Sequence, residues 1–271
     1  MNATSTRPVA IVTGGGSGLG LATAKHLNEA GWDVAISGRR PGLLEEAASQ
    51  TGAHAIVADM RSASAPDEIV EAAMAQFGRI DGLVLNAAVS HAGHFEDITD
   101  SAWHDMLETN LIGAARLTRA ALPHFSDEGA SIVGVASLAA LRASSFMSGY
   151  AASKAGLGLM LQSVAVEFGK RAVRANLICP GLVRTEMSAS ALRTICERDG
   201  ISLDEAYGAA TQNVPLRRAA DPEEIASVIG FLLSKDASYL TGAIIPIDGG
   251  ASAVDVAALV YDDKSDSALA V

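Results

Sequence analysis

Tyr150 and Lys154 stand four residues apart in an alanine-rich run, 148–170, whose composition predicts a helix. On a helix, residues i and i+4 share one face, one turn apart. A free tyrosine ionises near pH ~10, too high for proton exchange at neutral pH. A cation one turn away favours the phenolate and lowers that value. The pair therefore reads as an acid/base device for a substrate hydroxyl or carbonyl oxygen. Taken alone, it also describes an ordinary solvated helix face. Ser137 lies two residues past the apolar run 131–135, at the carboxyl end of an expected strand. No His or Asp is placed to make it a nucleophile in the Gly-x-Ser-x-Gly manner. As a hydrogen-bond donor to a substrate oxygen it needs no activation. Asn110 falls among Leu107, Leu111 and Ile112. A buried amide must find partners, so it is either structural or part of a water relay.

A second set of residues suits an anion. Thr13-Gly14-Gly15-Gly16-Ser17-Gly18-Leu19-Gly20 joins the apolar run 9–12 to a helical stretch, 21–30. Strand, glycine turn and helix together let the backbone approach a pyrophosphate at a helix N-terminus. The spacing is Gly-x-x-x-Gly-x-Gly, which differs from the standard dinucleotide fingerprint. The next strand, 32–37, ends in Gly38-Arg39-Arg40, with no acid to take a ribose 2′-hydroxyl. Arginines there suit a 2′-phosphate, which favours NADP(H) and leaves NAD(H) possible. The same arginines could instead be solvated residues at a helix start. Asp59 closes the strand 55–58 and could accept from an adenine amino group, or cap the following helix. Asn86 follows the strand 80–85.

These residues need a frame. Strands at 9–12, 32–37, 55–58, 80–85, 131–135, 173–178 and 243–247 alternate with helical stretches at 21–30, 43–50, 66–77, 99–125, 148–170 and 221–234. That order predicts an α/β, Rossmann-type, doubly wound, seven-stranded parallel sheet with helices on both faces. Ligands of such sheets lie off the carboxyl ends of the strands, where Gly14–Gly20, Arg39, Asp59, Asn86 and Ser137 all fall. Pro180-Gly181 ends the sixth strand abruptly. The stretch 186–212 is the long insertion between regular units and is the expected substrate lid. The tail 255–271, with Asp262, Asp263 and Asp266, reads as exposed.

Bulk properties narrow the classes. A chain of 271 residues, 49% hydrophobic, suffices for one core, so residues 1–271 are expected to form a single domain. The net charge of −11 argues against a nucleic-acid partner. No stretch approaches the roughly 20 apolar residues of a membrane span. Cys179 and Cys196 form no paired motif, and the N-terminus lacks a signal-peptide core, so a cytoplasmic location is expected. His91 and His94 lack a third ligand, so they read as loop residues and no metal site is expected.

Taken in order, Thr13–Gly20, Asp59, Asn86-Ala87, Asn110, Ser137, Tyr150-x-x-x-Lys154, Pro180-Gly181 with Thr185, and Leu240-Thr-Gly…Asp248-Gly-Gly resemble the short-chain dehydrogenase/reductase family. The resemblance spans residues 8–250. It implies that Gly14, Ser17, Gly18, Leu19 and Gly20 hold the cofactor pyrophosphate, with Asp59 and Met60 at the adenine. Arg39 matches the NADP-preferring pattern. The resemblance also puts Asn86 near the cofactor ribose, and Pro180, Gly181, Val183 and Thr185 near the nicotinamide. Tyr150 would be the acid/base, Lys154 would lower its pKa and bind the ribose, Ser137 would orient the substrate oxygen, and Asn110 would hold a relay water. A homodimer or homotetramer is implied as well. One departure is Ala88, where the family carries a glycine.

The expected activity is interconversion of a secondary alcohol and a ketone by an NADP(H)-dependent oxidoreductase. A catalytically idle NAD(P)-binding sensor or scaffold is the alternative, and it would be favoured by loss of Tyr150 or Lys154. A nucleotide-sugar epimerase would need a larger C-terminal lobe. The expected substrate walls, 90–95, 138–147 and 186–212, are mainly apolar (Phe95, Leu138, Leu141, Phe146, Met187, Leu192), with Arg142 as the cation near Ser137. They suit an alicyclic, aromatic or β-keto compound.

Overall fold

The computed structural model describes residues 5–126 and 128–261. Seven strands form one sheet in the order β3-β2-β1-β4-β5-β6-β7, and every pairing is parallel. They are β1 (Val9–Thr13), β2 (Asp33–Gly38), β3 (His54–Val57), β4 (Gly82–Leu85), β5 (Ala130–Val135), β6 (Val173–Pro180) and β7 (Ile244–Ile247). The helices are α1 (Gly18–Glu29), α2 (Pro41–Thr51), α3 (Ala65–Phe77), α4 (Asp100–Leu107), α5 (Gly113–Ala121), α6 (Ser148–Phe168), α7 (Glu186–Asp199), α8 (Leu203–Thr211) and α9 (Pro222–Leu233).

Central strands covered on both faces read as unbroken apolar runs, and β1 and β4 are buried at every residue. Neighbouring strand residues point to opposite faces, so the sheet divides the core in two. Ile11, Leu83 and Ile132 face Ile69, Leu117 and Leu157 of α3, α5 and α6. Val12, Val84 and Val133 face Leu27, Leu44 and Ile229 of α1, α2 and α9. The strand order turns back between β1 and β4, which opens a crevice at their carboxyl ends.

Two expectations change. The stretch 99–125 is not one regular helix. Between α4 and α5 lies a π-helical turn, Glu108–Ile112, and a short 3₁₀ turn, Leu122–His124, follows α5. The wide turn has a local cause, because its Asn110 turns inward to hold another segment of backbone. In addition, residues 256–261 of the expected tail form a 3₁₀ helix, Val256–Tyr261, and Asp262, Asp263 and Asp266 lie outside the described residues.

Candidate active site

A cleft of about 930 Å³ runs along the carboxyl ends of the strands. Its size falls in the range of small-molecule sites. The glycine turn forms one end. Gly14 has a φ of 68°, a backbone conformation that disfavours side chains, and lies against Asn86. Thr13 ties the turn to β4: its Oγ1 accepts from the backbone N–H groups of Asn86 and Ala87, both at 3.0 Å, and donates to the Val84 carbonyl. Asn86 Nδ2 donates to the Thr13 carbonyl at 2.9 Å. Gly14, Ser17, Gly18 and Leu19 line the cleft, as do Asn86 and Ala88.

Gly20 does not line it. A Cβ on Gly20 would lie 2.1 Å from the Gly14 carbonyl oxygen and 2.7 Å from Asn86 Nδ2. This glycine closes the turn against the helix, so its contribution is to shape.

The expected adenine end also differs in detail. Asp59 and Met60 line the cleft, but Asp59 is already taken by Arg61, whose Nη2 is 2.7 Å from its carboxylate. The Arg61 guanidinium holds the Asp59 carboxyl below the usual carboxylate range. Arg39 lines the cleft with no hydrogen bond or ion pair to the described residues. Arg40 is committed: it donates to Ser17 Oγ at 3.0 Å and lies 3.6 Å from Glu186. The two arginines therefore separate, and Arg39 is the one left for an anion. Arg61 was missed, although a guanidinium two residues past an acid was a readable signal.

At the other end β5 delivers Ser137 and α6 delivers Tyr150 and Lys154, all lining the cleft. Ser137 and Tyr150 line the same end of the cleft. Burial pushes the Tyr150 hydroxyl up to about 12, and Ser137 is what pulls the other way. Lys154 is 1% exposed, its Nζ donates to the Val135 carbonyl at 2.7 Å, and it lies 5.7 Å from the centroid of the tyrosine ring. Burial lowers Lys154 to about 8. In this state the ammonium does not set the tyrosine pKa.

Asn110 also takes a different place. It is 1% exposed and does not line the cleft. Its Oδ1 accepts from Val89 N at 2.8 Å, while Nδ2 donates to the Val89 carbonyl and to Ser153 Oγ, each at 2.9 Å. Ser153 Oγ then donates to the Tyr150 carbonyl at 2.7 Å. Both amide hydrogens are spent, so the side chain cannot donate to a relay water. It clamps the loop following β4 to the helix that carries Tyr150. Ser153 gave no sequence signal beyond its place inside the Tyr-x-x-x-Lys spacing.

Pro180, Gly181, Val183 and Thr185 close the cleft from β6, and Thr185 caps α7 by accepting from Ser188 N. Glu186, Met187, Ser190 and Ala191 continue the wall. The remaining expected walls are only partly right. Leu192 is buried beneath α7 and α8 with Ala206 and Tyr207. Leu141 packs on the main core, and Arg142 donates to the Ser252 carbonyl at 3.0 Å rather than facing Ser137. His91, Asp105 and Thr109 line the cleft instead, giving it a polar side. Among the described residues, no three His, Cys, Asp or Glu side chains converge as for a metal.

A dinucleotide fits this cleft on three observations. Gly14 and Gly18 hold positive φ at the turn, and among the described residues Arg39 makes no hydrogen bond or ion pair and the buried Thr109 Oγ1 has no hydrogen-bond partner. The comparisons with known proteins agree. A family model described as enoyl-(acyl carrier protein) reductase matches residues 14–252. Protein MoaE of Klebsiella aerogenes is 36% identical over 265 residues, covering 93% of this chain and 98% of that protein. The crystal structure of levodione reductase superposes with a TM-score of 0.86 at 32% identity, covering 92% of this chain and 98% of the other. An actinorhodin polyketide ketoreductase variant with NADPH superposes at 0.87 with 28% identity, covering 93% and 100%. The chain belongs to the short-chain dehydrogenase/reductase family and is an NAD(P)-dependent oxidoreductase of the alcohol/ketone type. No helix of the described residues is long and apolar enough to cross a membrane.

Proposed function

We propose that the protein is an NADP(H)-linked reductase that converts an alicyclic, aromatic or β-keto carbonyl compound to a secondary alcohol. The observation that carries this reading is that Ser137, Tyr150 and Lys154 line one end of a cleft whose other end is the glycine turn. A hydroxyl whose pKa is about 12 is fully protonated at neutral pH, so Tyr150 is an acid first. Ser137 and Tyr150 can both donate to a carbonyl oxygen and polarise it. The reduced nicotinamide, when bound, supplies the hydride to the carbonyl carbon. The tyrosine proton then passes to the oxygen as charge develops there. Lys154 holds the nicotinamide ribose in this reading. Its ammonium, once drawn from Val135, favours the phenolate left behind.

Arg39 supports NADP(H) over NAD(H), because it is an unpaired guanidinium in a strand-end position that carries no acid. Met147, Met187, Ala92 and Ala191 support an apolar ring or chain beside the nicotinamide. We assign α7 and α8, within 186–212, as the lid, within one domain. A homodimer or homotetramer in the cytoplasm completes the proposal.

Nicotinamide absorbance tests it, with NADPH and NADH in parallel on cyclic, aryl and β-keto carbonyls. Tyr150→Phe is expected to lower turnover by at least about 1000-fold while changing NADPH affinity less than about threefold. Retained turnover would remove the tyrosine from the chemistry. Arg39→Asp is expected to weaken NADPH binding about 100-fold and NADH binding little. Equal losses would discard the 2′-phosphate assignment.

A further inference from the structure

We propose that His91 accepts a hydrogen bond from a hydroxyl of the substrate, so that the cleft selects hydroxy-ketones over their deoxy counterparts. The inference rests on the reductase reading of the same cleft. It starts from a chain of ionic contacts that the chemistry above does not use. His91 Nε2 lies 2.7 Å from Asp105 Oδ2. The other oxygen of Asp105 accepts from Arg61 Nη1 at 3.1 Å, and Arg61 holds Asp59 at 2.7 Å. His91, Asp105 and Asp59 line the cleft that holds Ser137 and Tyr150.

The chain decides which ring nitrogen is free. The bonds from His91 and Arg61 hold the Asp105 carboxyl below its usual range, so it is a carboxylate. A carboxylate only accepts, and the nitrogen facing it must carry the hydrogen. In a neutral imidazole the other nitrogen is then a bare acceptor. That nitrogen, Nδ1, has no partner among the described residues, and the side chain is 44% exposed. His94, from the same loop, is turned away onto the Phe146 ring.

An acceptor needs a donor, and a simple ketone has none. The matching group is therefore a second substituent on the substrate. A neutral hydroxyl suits it better than an ammonium, because Arg61 and Arg39 together offset the charges of Asp59 and Asp105. Asp105 is the positioning residue, acting through the tautomer it fixes.

Binding decides the proposal without turnover. Dissociation constants are measured at pH 8.5 in dead-end complexes with NADP⁺. The probes are 2-hydroxycyclohexanone, its methyl ether and cyclohexanone. The wild-type protein is expected to bind the hydroxy-ketone about tenfold more tightly than the other two. His91→Phe is expected to erase that ratio, and His91→Gln, which keeps an acceptor oxygen, to restore part of it. In ¹⁵N spectra the His91 ring is expected as the Nε2–H tautomer, and Asp105→Asn is expected to mix the tautomers. Equal affinities in the wild type, no saturable hydroxy-ketone binding, or a ratio untouched by His91→Phe would each overturn the proposal. An intact ratio with no reduction of either ketone would overturn the reductase reading and leave the His91 assignment standing.

Discussion

The floor of the cleft and its outer wall are built on opposite principles. On the floor, Lys154, Asn110, Ser153 and Tyr150 are buried to 8% exposure or less. A polar group so far from water must be bonded, and Lys154, Asn110 and Ser153 are, through Val135, Val89 and the Tyr150 carbonyl. The outer wall instead shows Met187 at 49% and the Glu186 side chain at 69% exposed. Next to the lining residue Met147, Phe146 holds a φ of 66°, unusual for a side chain of its size. The floor is over-determined by its bonds, whereas little in the isolated chain dictates the wall.

The largest test of that contrast is at the glycine turn. Gly20→Ala places a methyl 2.1 Å from the Gly14 carbonyl, against backbone that Thr13 and Asn86 hold in place. NADPH affinity, read by nucleotide fluorescence, is expected to fall by more than about 100-fold. Unchanged affinity would show that the floor yields as easily as the wall.

Lys154 gives a pH signature of burial. Its folded value of about 8 lies below its ordinary 10.5, so the unfolded chain binds more protons between those limits. Stability therefore rises with pH through that window, by on the order of 3 kcal/mol. The burial cost is full below pH 8 and gone above 10.5. Tyr150 opposes this only from about pH 10 to 12, where its raised value makes ionisation costly. Denaturant melts of Lys154→Met between pH 8 and 10 are expected to lack the wild-type rise. A parallel rise in both proteins would show that the lysine is solvated.

The smallest effect is expected in the wall. Tyr207 is buried at 3% exposure and its hydroxyl lies 2.7 Å from Ser188 Oγ, joining α8 to α7. Tyr207→Phe is expected to cost about 1 kcal/mol and to speed amide exchange in α7 and α8 while exchange in α6 stays as it was. Faster exchange in both would mean that floor and wall open together.

The same contrast explains what could be read from the sequence. All seven strands and their parallel sense were legible, because buried parallel strands must be apolar runs and their connections right-handed. Ser137, Tyr150 and Lys154 were legible because spacing on strand ends and helices fixes which residues meet. Gly20 and Asn110 were found, and the structure adds a packing task to each. Sequence shows that a glycine or a buried amide is needed, not which atom it touches. Arg142 and Leu192 were misplaced because loop and lid residues turn on local backbone that no periodicity encodes. The polar side made by His91, Asp105 and Arg61 depends on contacts between residues 44 and 14 positions apart, and no local pattern announces it.

The π-turn at Glu108–Ile112 carries one consequence for the gene. An α-helix advances about 100° per residue, and a wider turn absorbs one extra residue without spoiling the rotation on either side. Ala114, Leu117 and Ala121 face the core after it, while Asp105 faces the cleft before it. Deleting a single codon within 108–112 would therefore return the stretch to an α-helix with the two halves still in phase. The packing of α5 would survive, and the inward turn by which Asn110 clamps Val89 would be lost. The extra residue serves the clamp rather than the core.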